Sequence, residues 1–470
     1  MSFGSDPEFL RAFKQVIDTK VFQRLRRITQ LGLASYVFPG ATHTRFSHSL
    51  GAAYLARTVL LHLQETGALN NVASTTFNSV VLAALLHDVG HGPFSHSFER
   101  ILDVAEGAPS HEDWTSVLIS HESSEVGRCL RQNEIDAEMI SSVFGGSSSN
   151  LLNRPLRQIV SSQLDVDRMD YLIRDSHFAG MSVGRFDVNY LIHSLSVINH
   201  GDGGPATLGI NRKGVKAYEG MCVARQFMNR TLYYHHNIQV LEYMMERFLR
   251  LVIKHIDDIT GASRSLIPSY FLRVPRTAER KFMKQEFMNE AYADYIQITE
   301  DAVWTLIAAA AEGRLTPTLV TPAEQLLTRQ ILDHFYISPG KKKLLGEALS
   351  EDGFEEEEDF HLLEVQTTLY KSPGGKSPDD KSVFVQDEEN KVEDITRHSE
   401  LISAFRDKPE IESFLVVLNP SKVEAIKKKA DQGQFLFQRN KRQGPVRIPA
   451  QRESRPNEIR RSKPGLTERD

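Results

Sequence analysis

Cysteine is nearly absent from this sequence. There are two, Cys129 and Cys222, and no Cys-x-x-Cys. A disulfide framework is therefore excluded, and the expected state is two reduced, buried thiols in a cytoplasmic protein. Long apolar runs are missing too. Stretches such as Val80–Leu86 last a few residues, whereas a helix that spans a bilayer needs about 20, so no membrane role is expected. The opening MSFGSDPEFLRAFK carries no apolar segment that would mark the chain for export. Glycine and proline, at 29 and 19 of 470 residues, are too few for a collagen-like or low-complexity protein. Neither sign of charge dominates. With 56 basic and 61 acidic residues the net charge is −5, which disfavours nucleic-acid binding by the whole surface. At 40% hydrophobic residues the chain is too apolar to be disordered. Its length suggests several domains of about 150 residues each.

What the sequence does have is histidine, 17 in all, with many between His43 and His121. Clustered imidazoles raise the question of a metal. From Pro7 to about Ile256 the apolar residues recur at helical spacing, as in Ala12, Phe13, Val16, Ile17, Val21, Phe22, Leu25 and Ile28. Gly51–Leu63 and the very apolar Ser79–Leu86 read as two further helices, the second buried nearly all round. Val197–Ile210, interrupted by Gly201, Gly203, Gly204 and Pro205, reads as a small hairpin or a loop, and Gly145–Ser149 as a surface loop. After a helical stretch over Ala278–His334, the segments His361–Tyr370, Val383–Gln386 and Phe414–Leu418 are strand-like. From Arg439 onward the chain is rich in Arg, Lys and Pro. The expected organisation is mainly α: a helical core over residues 1–255, a helical extension over 256–350, a small α+β module over 351–432, and a basic disordered tail over 433–470.

The chemistry concentrates in Leu85-Leu86-His87-Asp88-Val89-Gly90-His91-Gly92-Pro93-Phe94-Ser95-His96. An apolar helix ends here in His-Asp and is broken by glycines and a proline, with His91 one turn on. On its own, a His-Asp pair at a helix end is most simply a buried hydrogen-bonded couple. Other candidates change that reading. Arg45-Phe46-Ser47-His48 lies upstream. Downstream, Asp165–Asp175 as a helix would place Asp167, Asp170, Tyr171 and Arg174 on one face. Because apolar Ile159, Val160 and Leu164 precede it, the helix would be largely buried, and buried carboxylates need cations or donors.

Phe22-Gln23-Arg24-Leu25-Arg26, Gln30-Leu31-Gly32, Val37–Ala41, Arg45–Gly51, His87–His96 and Asp165-Val166-Asp167-x-x-Asp170-Tyr171 follow one another in order. Over roughly Val16–His236 the chain thereby resembles the HD-domain deoxynucleoside triphosphate (dNTP) triphosphohydrolases, both the bacterial enzymes and the catalytic part of the vertebrate sterile-alpha-motif/HD protein. The resemblance implies an HD-domain helical core and one divalent metal ion (Fe, Mn or similar) held by His48, His87, Asp88 and Asp167, with Mg accompanying the triphosphate. It implies hydrolysis of dNTPs to deoxynucleoside and inorganic triphosphate, lowering or balancing dNTP pools. His91 matches a histidine that acts beside the metal. The second such histidine is His111 or His121; His111 is preferred for its spacing, with Glu99 as its orienting carboxylate. Arg45, Arg168 and Arg225 match phosphate contacts, Tyr171 and Tyr233 wall the deoxyribose, and Gln30, Leu31 and Asp175 match contacts to the sugar edge. The expected state is a homo-oligomer, a dimer or tetramer. Asp18, Gln23 and Arg26 match part of an activator-nucleotide site between subunits.

Two departures stand out. Glu99 occupies a position where the vertebrate enzyme has Asp, and only Asp6-Pro7 precedes the first helical stretch, so the family's opening strand pair is expected to be missing. Two other readings compete. One is an HD-type nucleotide phosphodiesterase or phosphohydrolase, against which the lack of a Gly-Tyr-Pro motif counts for cyclic dinucleotides. The other is a nucleic-acid-binding regulatory protein with an inactive HD site, whose basic tail makes weak phosphate contacts.

Overall fold

The structure is a computed structural model that describes residues 6–69, 72–101, 108–144, 152–200, 205–274, 284–368, 370 and 382–437. The loop at 145–149, the glycines at 201, 203 and 204, the linker over 371–381 and the tail from 438 onward lie outside the described residues. The principal helices are α1 (Pro7–Ile17), α2 (Arg45–Glu65), α3 (Ser74–Leu86), α4 (His111–Ser120), α5 (Val166–Phe178), α6 (Val215–Met228), α7 (His236–Lys254), α8 (Lys284–Tyr295), α9 (Glu300–Ala311), α10 (Lys342–Glu351) and α11 (Val423–Gln432).

The described N-terminus opens on a helix. Asp6 accepts from the amides of Glu8 and Phe9, and Pro7 occupies the first turn, where its missing N–H costs nothing. The buried face of α1 is Phe9, Ala12, Phe13 and Val16. Every residue of α3 from Ser79 to Leu86 is buried, because α2 packs along it and Arg154–Val160 covers another side. Burying each Val or Leu here contributes about 1.5–3 kcal/mol. The opposite end of that stability lies in the polar residues that the same elements aim inward. Helix α5 packs on α2. Gly51 permits the close approach, since a Cβ there would meet Asp170 Oδ1 at 1.9 Å. Cys222 is buried, but Cys129 is only half-buried, on a short helix where its Sγ lies 3.8 Å from the Gln15 carbonyl of α1.

Two sheets complete the fold. β1 (Leu195–Ile198) and β2 (Thr207–Asn211) form a hairpin, with Leu195 opposite Ile210. β5 (Phe384–Gln386) runs parallel to β2, placing Val385 beside Ile210, and β6 (Val392–Asp394) closes that four-stranded sheet. The second sheet has the order β3-β7-β4, with β3 at His334–Tyr336, β4 at Phe360–Thr368 and β7 at Pro409–Val417. Its own small core joins Ile337, Phe360, Leu362, Leu415 and Val417 to Leu345 and Leu349 of α10 and Ile426 and Ala430 of α11. The strand-like segments of the C-terminal region thus divide between two sheets, one of them anchored on the helical core. The chain goes on pairing after α11: Leu436 bridges to Ile337, and the Phe437 amide donates to the Tyr336 carbonyl at 2.9 Å. No helix among the described residues is long and apolar enough to cross a membrane.

Candidate metal and phosphate site

Three elements converge on one point. Helix α2 starts at Arg45, so Arg45 and His48 lie one turn apart on its first turns. Helix α3 ends at Leu86 and delivers His87 and Asp88. The chain then turns at Gly90, where a Cβ would collide with the His111 carbonyl at 2.1 Å and the Thr115 amide at 2.3 Å. Glycine there lets the start of α4 lie directly on the His87–His91 turn. Thr115 Oγ1 ties the two, donating to the His87 carbonyl (3.1 Å) and accepting from the Gly90 amide (3.0 Å). Helix α5, capped by Asp165, brings Asp167.

The ring orientations of His48 and His87 follow from their outer nitrogens. His48 Nδ1 lies 2.8 Å from Asp170 Oδ2 and His87 Nδ1 lies 2.8 Å from the Ala84 carbonyl. Both partners only accept, so both Nδ1 atoms carry protons, and each ring, when neutral, presents a bare Nε2 lone pair. Those two lone pairs face each other at 3.1 Å. Asp167 Oδ1 lies 3.0 Å from one and 3.5 Å from the other, and Asp88 Oδ1 lies 3.4 Å from His87 Nε2. Four acceptors with no donor among them are held together only by a proton or a cation. His48, His87 and Asp167 also satisfy the spacing of a ligand set, their atoms lying within 4.8 Å of one another. Two imidazoles and two carboxylates suit a divalent ion with open positions. Without one, protons take its place. Burial opposes charge on His48, but the hydrogen bonds its ring donates to Asp167 and Asp170 outweigh it and raise the ring to about 10. Burial would likewise raise Asp167, yet His48 and His87 hold it far below the usual carboxylate range. Asp88 is held low against its burial by Arg45, His87 and His91.

A second cluster adjoins the first. His91 Nε2 is 3.2 Å from Asp88 Oδ1, and the His91 ring stacks on His111 at 4.0 Å and 13°. Glu99 Oε1 accepts from both the amide (2.9 Å) and Nδ1 (2.5 Å) of His111, so the longer glutamate side chain reaches its histidine. Burial disfavours charge on His111, but Glu99 outweighs it and raises the pKa; His91, buried and facing Arg45 and His111, is pushed well down. His121 does not join this cluster. It closes the far end of α4 and stacks on Tyr292 at 4.5 Å.

Both clusters border a cavity of about 780 Å³, within the range of sites for small organic ligands. Its walls include Gln30, Leu31, Arg45, Arg168, Tyr171, Asp175, Arg225 and Tyr233. Arg45 directs its terminal nitrogens at Asp88 and, at 2.7 Å, Ser95 Oγ. Arg168 pairs with Asp165 and the Ser162 carbonyl. Arg225 makes no hydrogen bond or ion pair to a described residue. Tyr171 and Tyr233 meet edge to face at 5.9 Å, and Tyr233 donates to Asp175 (2.8 Å), whose other oxygen faces His43 Nε2 at 2.7 Å. Gln30 Oε1 is buried in this corner with no partner among the described residues. A single π-type turn, Asn229–Tyr233, aims Asn229, Leu232 and Tyr233 inward between α6 and α7. Asp18, Gln23 and Arg26 lie outside the cavity, at the turn after α1. Gln23 bonds the Ile17 carbonyl (2.8 Å) and receives Arg26 Nε (2.8 Å), while the Arg26 guanidinium lies 3.6 Å from the Phe46 ring centroid.

Sequence reasoning named Asp170 on the helix face without assigning it a role, and passed over several other participants. Asp170 orients His48 and is itself gripped by Arg174 (2.7 and 2.8 Å), a role its place one turn after Asp167 could have suggested. Ser95 stood in the His87–His96 motif without an assigned role, and Thr115, Arg100 and Glu242 carried no local signal. Gln366, Thr367 and Thr368 of β4 border the cavity from far along the chain.

Residues 45–175 match the HD domain and residues 186–265 the HD-associated region. The chain is 35% identical over 181 residues to the SAMHD1-homologue deoxynucleoside triphosphate triphosphohydrolase of Dictyostelium discoideum, covering 37% of this chain and 34% of that protein. With the SAMHD1 enzyme of Gallus gallus it shares 32% identity over 256 residues, 49% of this chain and 41% of the relative. An uncharacterised protein of Mycoplasma genitalium is 34% identical over 224 residues, 47% of this chain and 51% of the other. The chain thus spans about half the length, or less, of these relatives. Among solved structures, a phosphohydrolase from Bacteroides thetaiotaomicron superposes with a TM-score of 0.66 at 26% identity, over 86% of this chain and 95% of that one. Taken with the His/Asp cluster at the head of α2, α3 and α5, these likenesses show that the chain carries an HD domain over residues 45–175 and an HD-associated region over 186–265, and that it is similar to SAMHD1-type dNTP triphosphohydrolases.

Proposed function

We propose that this chain hydrolyses dNTPs to deoxynucleoside and inorganic triphosphate. The observation that carries the reading is the meeting of four donor-free ligand atoms, from His48, His87, Asp88 and Asp167, beneath a cavity walled by arginines and a tyrosine pair. These four residues would hold the divalent ion, Fe, Mn or similar. Such an ion, when bound, supplies Lewis-acid polarisation of a phosphoryl oxygen.

The rest is done by the chain's own side chains. Arg225, with Arg168 and Arg45, offers guanidinium groups to the triphosphate, which needs several such donors. Tyr171 and Tyr233 wall the deoxyribose, and Asp175, fixed by Tyr233 and His43, borders its edge with Gln30 and Leu31. A wall this close rejects a 2′-hydroxyl by steric conflict and by leaving a polar group unpaired. Water adds at the α-phosphorus and the bond to the 5′ oxygen breaks, so a proton must reach that oxygen. The His111–Glu99 pair holds one at the cavity edge, beside the neutral His91. In this reading the enzyme is a cytoplasmic homo-oligomer, a dimer or tetramer, with the Asp18, Gln23 and Arg26 patch contributing to an activator-nucleotide site.

Incubating the protein with each dNTP and Mn, Fe, Co or Mg, with and without added nucleotides, and resolving products by ion-exchange chromatography tests the reading. Inorganic triphosphate is the expected product. Monophosphate release would instead identify a phosphodiesterase, and no turnover under any condition would remove the hydrolase reading.

A further inference from the structure

Glu300 begins α9, outside both regions matched to the HD family, yet it reaches under the active-site loop. The residue is 7% exposed. Its Oε1 accepts three hydrogen bonds: from the Thr29 amide (2.9 Å), from Thr29 Oγ1 (2.8 Å) and from the Phe94 amide (3.3 Å). A single oxygen with three donors is the arrangement of a carboxylate anion.

What it grips is unusual backbone. Phe94 and Ser95 are consecutive non-glycine residues in the left-handed region, with φ of 59° and 55°. Such conformations persist only where the surroundings enforce them. Phe94 is further held edge-on by Trp304 of the same helix, with centroids 5.7 Å apart. Next in the chain, Ser95 Oγ accepts from Arg45 Nη2 at 2.7 Å, and the other terminal nitrogen of Arg45 pairs with Asp88. Thr29, the second segment held, directly precedes Gln30 and Leu31 of the cavity wall and bridges to Thr44, the residue before Arg45.

We propose that Glu300 is a positioning residue of the site: by pinning the Phe94–Ser95 turn it sets Ser95 against Arg45, and so Arg45 against Asp88. It touches neither substrate nor metal ligands, and acts through two other side chains. The inference rests on the hydrolase reading above for its kinetic arm only.

The test is a double-mutant cycle in the full-length chain, Glu300→Ala with Ser95→Ala, read by manganese affinity in calorimetry and by kcat for triphosphate release. Removing a partner that orients a ligand costs about 10–100-fold in metal affinity or activity. Each single variant is therefore expected to lose at least tenfold, and the double variant about the same, because both break one chain of contacts. Glu300→Gln, which keeps a carbonyl acceptor, should recover most of the loss. Hydrogen exchange should show the Phe94 amide unprotected in Glu300→Ala but protected in Ser95→Ala. Losses that multiply in the double variant, or a Glu300→Ala protein that melts earlier yet binds manganese and turns over normally, would overturn the proposal. If Glu300→Ala does not fold, wild-type affinity in Ser95→Ala overturns it equally. Wild-type protein that binds manganese but releases no triphosphate would defeat the hydrolase reading while the affinity and exchange arms still judge Glu300.

Discussion

Within one cavity, His48 and His87 turn bare ring nitrogens toward each other across 3.1 Å, whereas His91 and His111 lie flat against one another at 4.0 Å beside Glu99. The residue types are the same in both clusters, and what differs is where the protons sit. In the first, carbonyl and carboxylate acceptors take the outer Nδ1 hydrogens, so lone pairs converge and call for a cation. In the second, Glu99 secures a proton on His111, while burial, with the neighbouring charges of Arg45 and His111, disfavours a charge on His91. Only Asp88 belongs to both, facing His87 and His91 with one oxygen.

The most damaging way to break this contrast is Asp167→Asn, which replaces an anionic ligand by a neutral one. Manganese binding should collapse and turnover fall on the order of a thousandfold or more, several kcal/mol of lost stabilisation. Metal content of the purified variant and its triphosphate release check this together. Glu99→Gln addresses the other cluster and should leave the metal in place while kcat falls by about a hundredfold. Its pH profile sharpens the point. A ring with a raised pKa holds its proton below that value and gives it up as pH climbs past it, so wild-type activity should decline on the alkaline side. Without the Glu99 charge that decline should begin at lower pH; an unmoved limb would show that the His111 proton is not the one used. Tyr233→Phe, which removes the hydroxyl from Asp175, should cost a few-fold in dNTP over ribonucleotide preference, about 1 kcal/mol, read as a ratio of kcat/KM values. Smallest in rate is Thr115→Val. It severs the link between the His87 turn and the helix bearing His111, and should lower stability by about 1–3 kcal/mol in urea unfolding while changing kcat only slightly.

Several parts of this arrangement were legible beforehand. The break of an apolar helix at His87-Asp88, followed by two glycines, marks a helix end presenting polar groups inward. The spacing from His91 favoured His111 over His121, and the structure sets His111 against His91 and Glu99 and His121 at the far end of the helix. Of the hairpin and loop readings left open for Val197–Ile210, the structure takes the hairpin, pairing β1 with β2. The segment carrying Asp167, Asp170, Tyr171 and Arg174 is helical as expected, which places them along one face, but they meet different partners. Asp167 and Tyr171 border the cavity, but Asp170 and Arg174 pair behind it, where Asp170 orients His48. A helical spacing places residues within one broad stripe and does not say which neighbour each will find.

By itself the sequence determined the helices, their buried faces and the residue types gathered at their ends, since these follow from apolar periodicity, caps and glycine breaks within a few turns of chain. Tertiary structure alone decided which nitrogen of each histidine bears the proton, that β5 joins β2 from more than 170 residues away, and that Glu300 supports Phe94. Those outcomes depend on partners brought together by packing. No local pattern encodes a hydrogen bond whose acceptor is contributed by a distant helix.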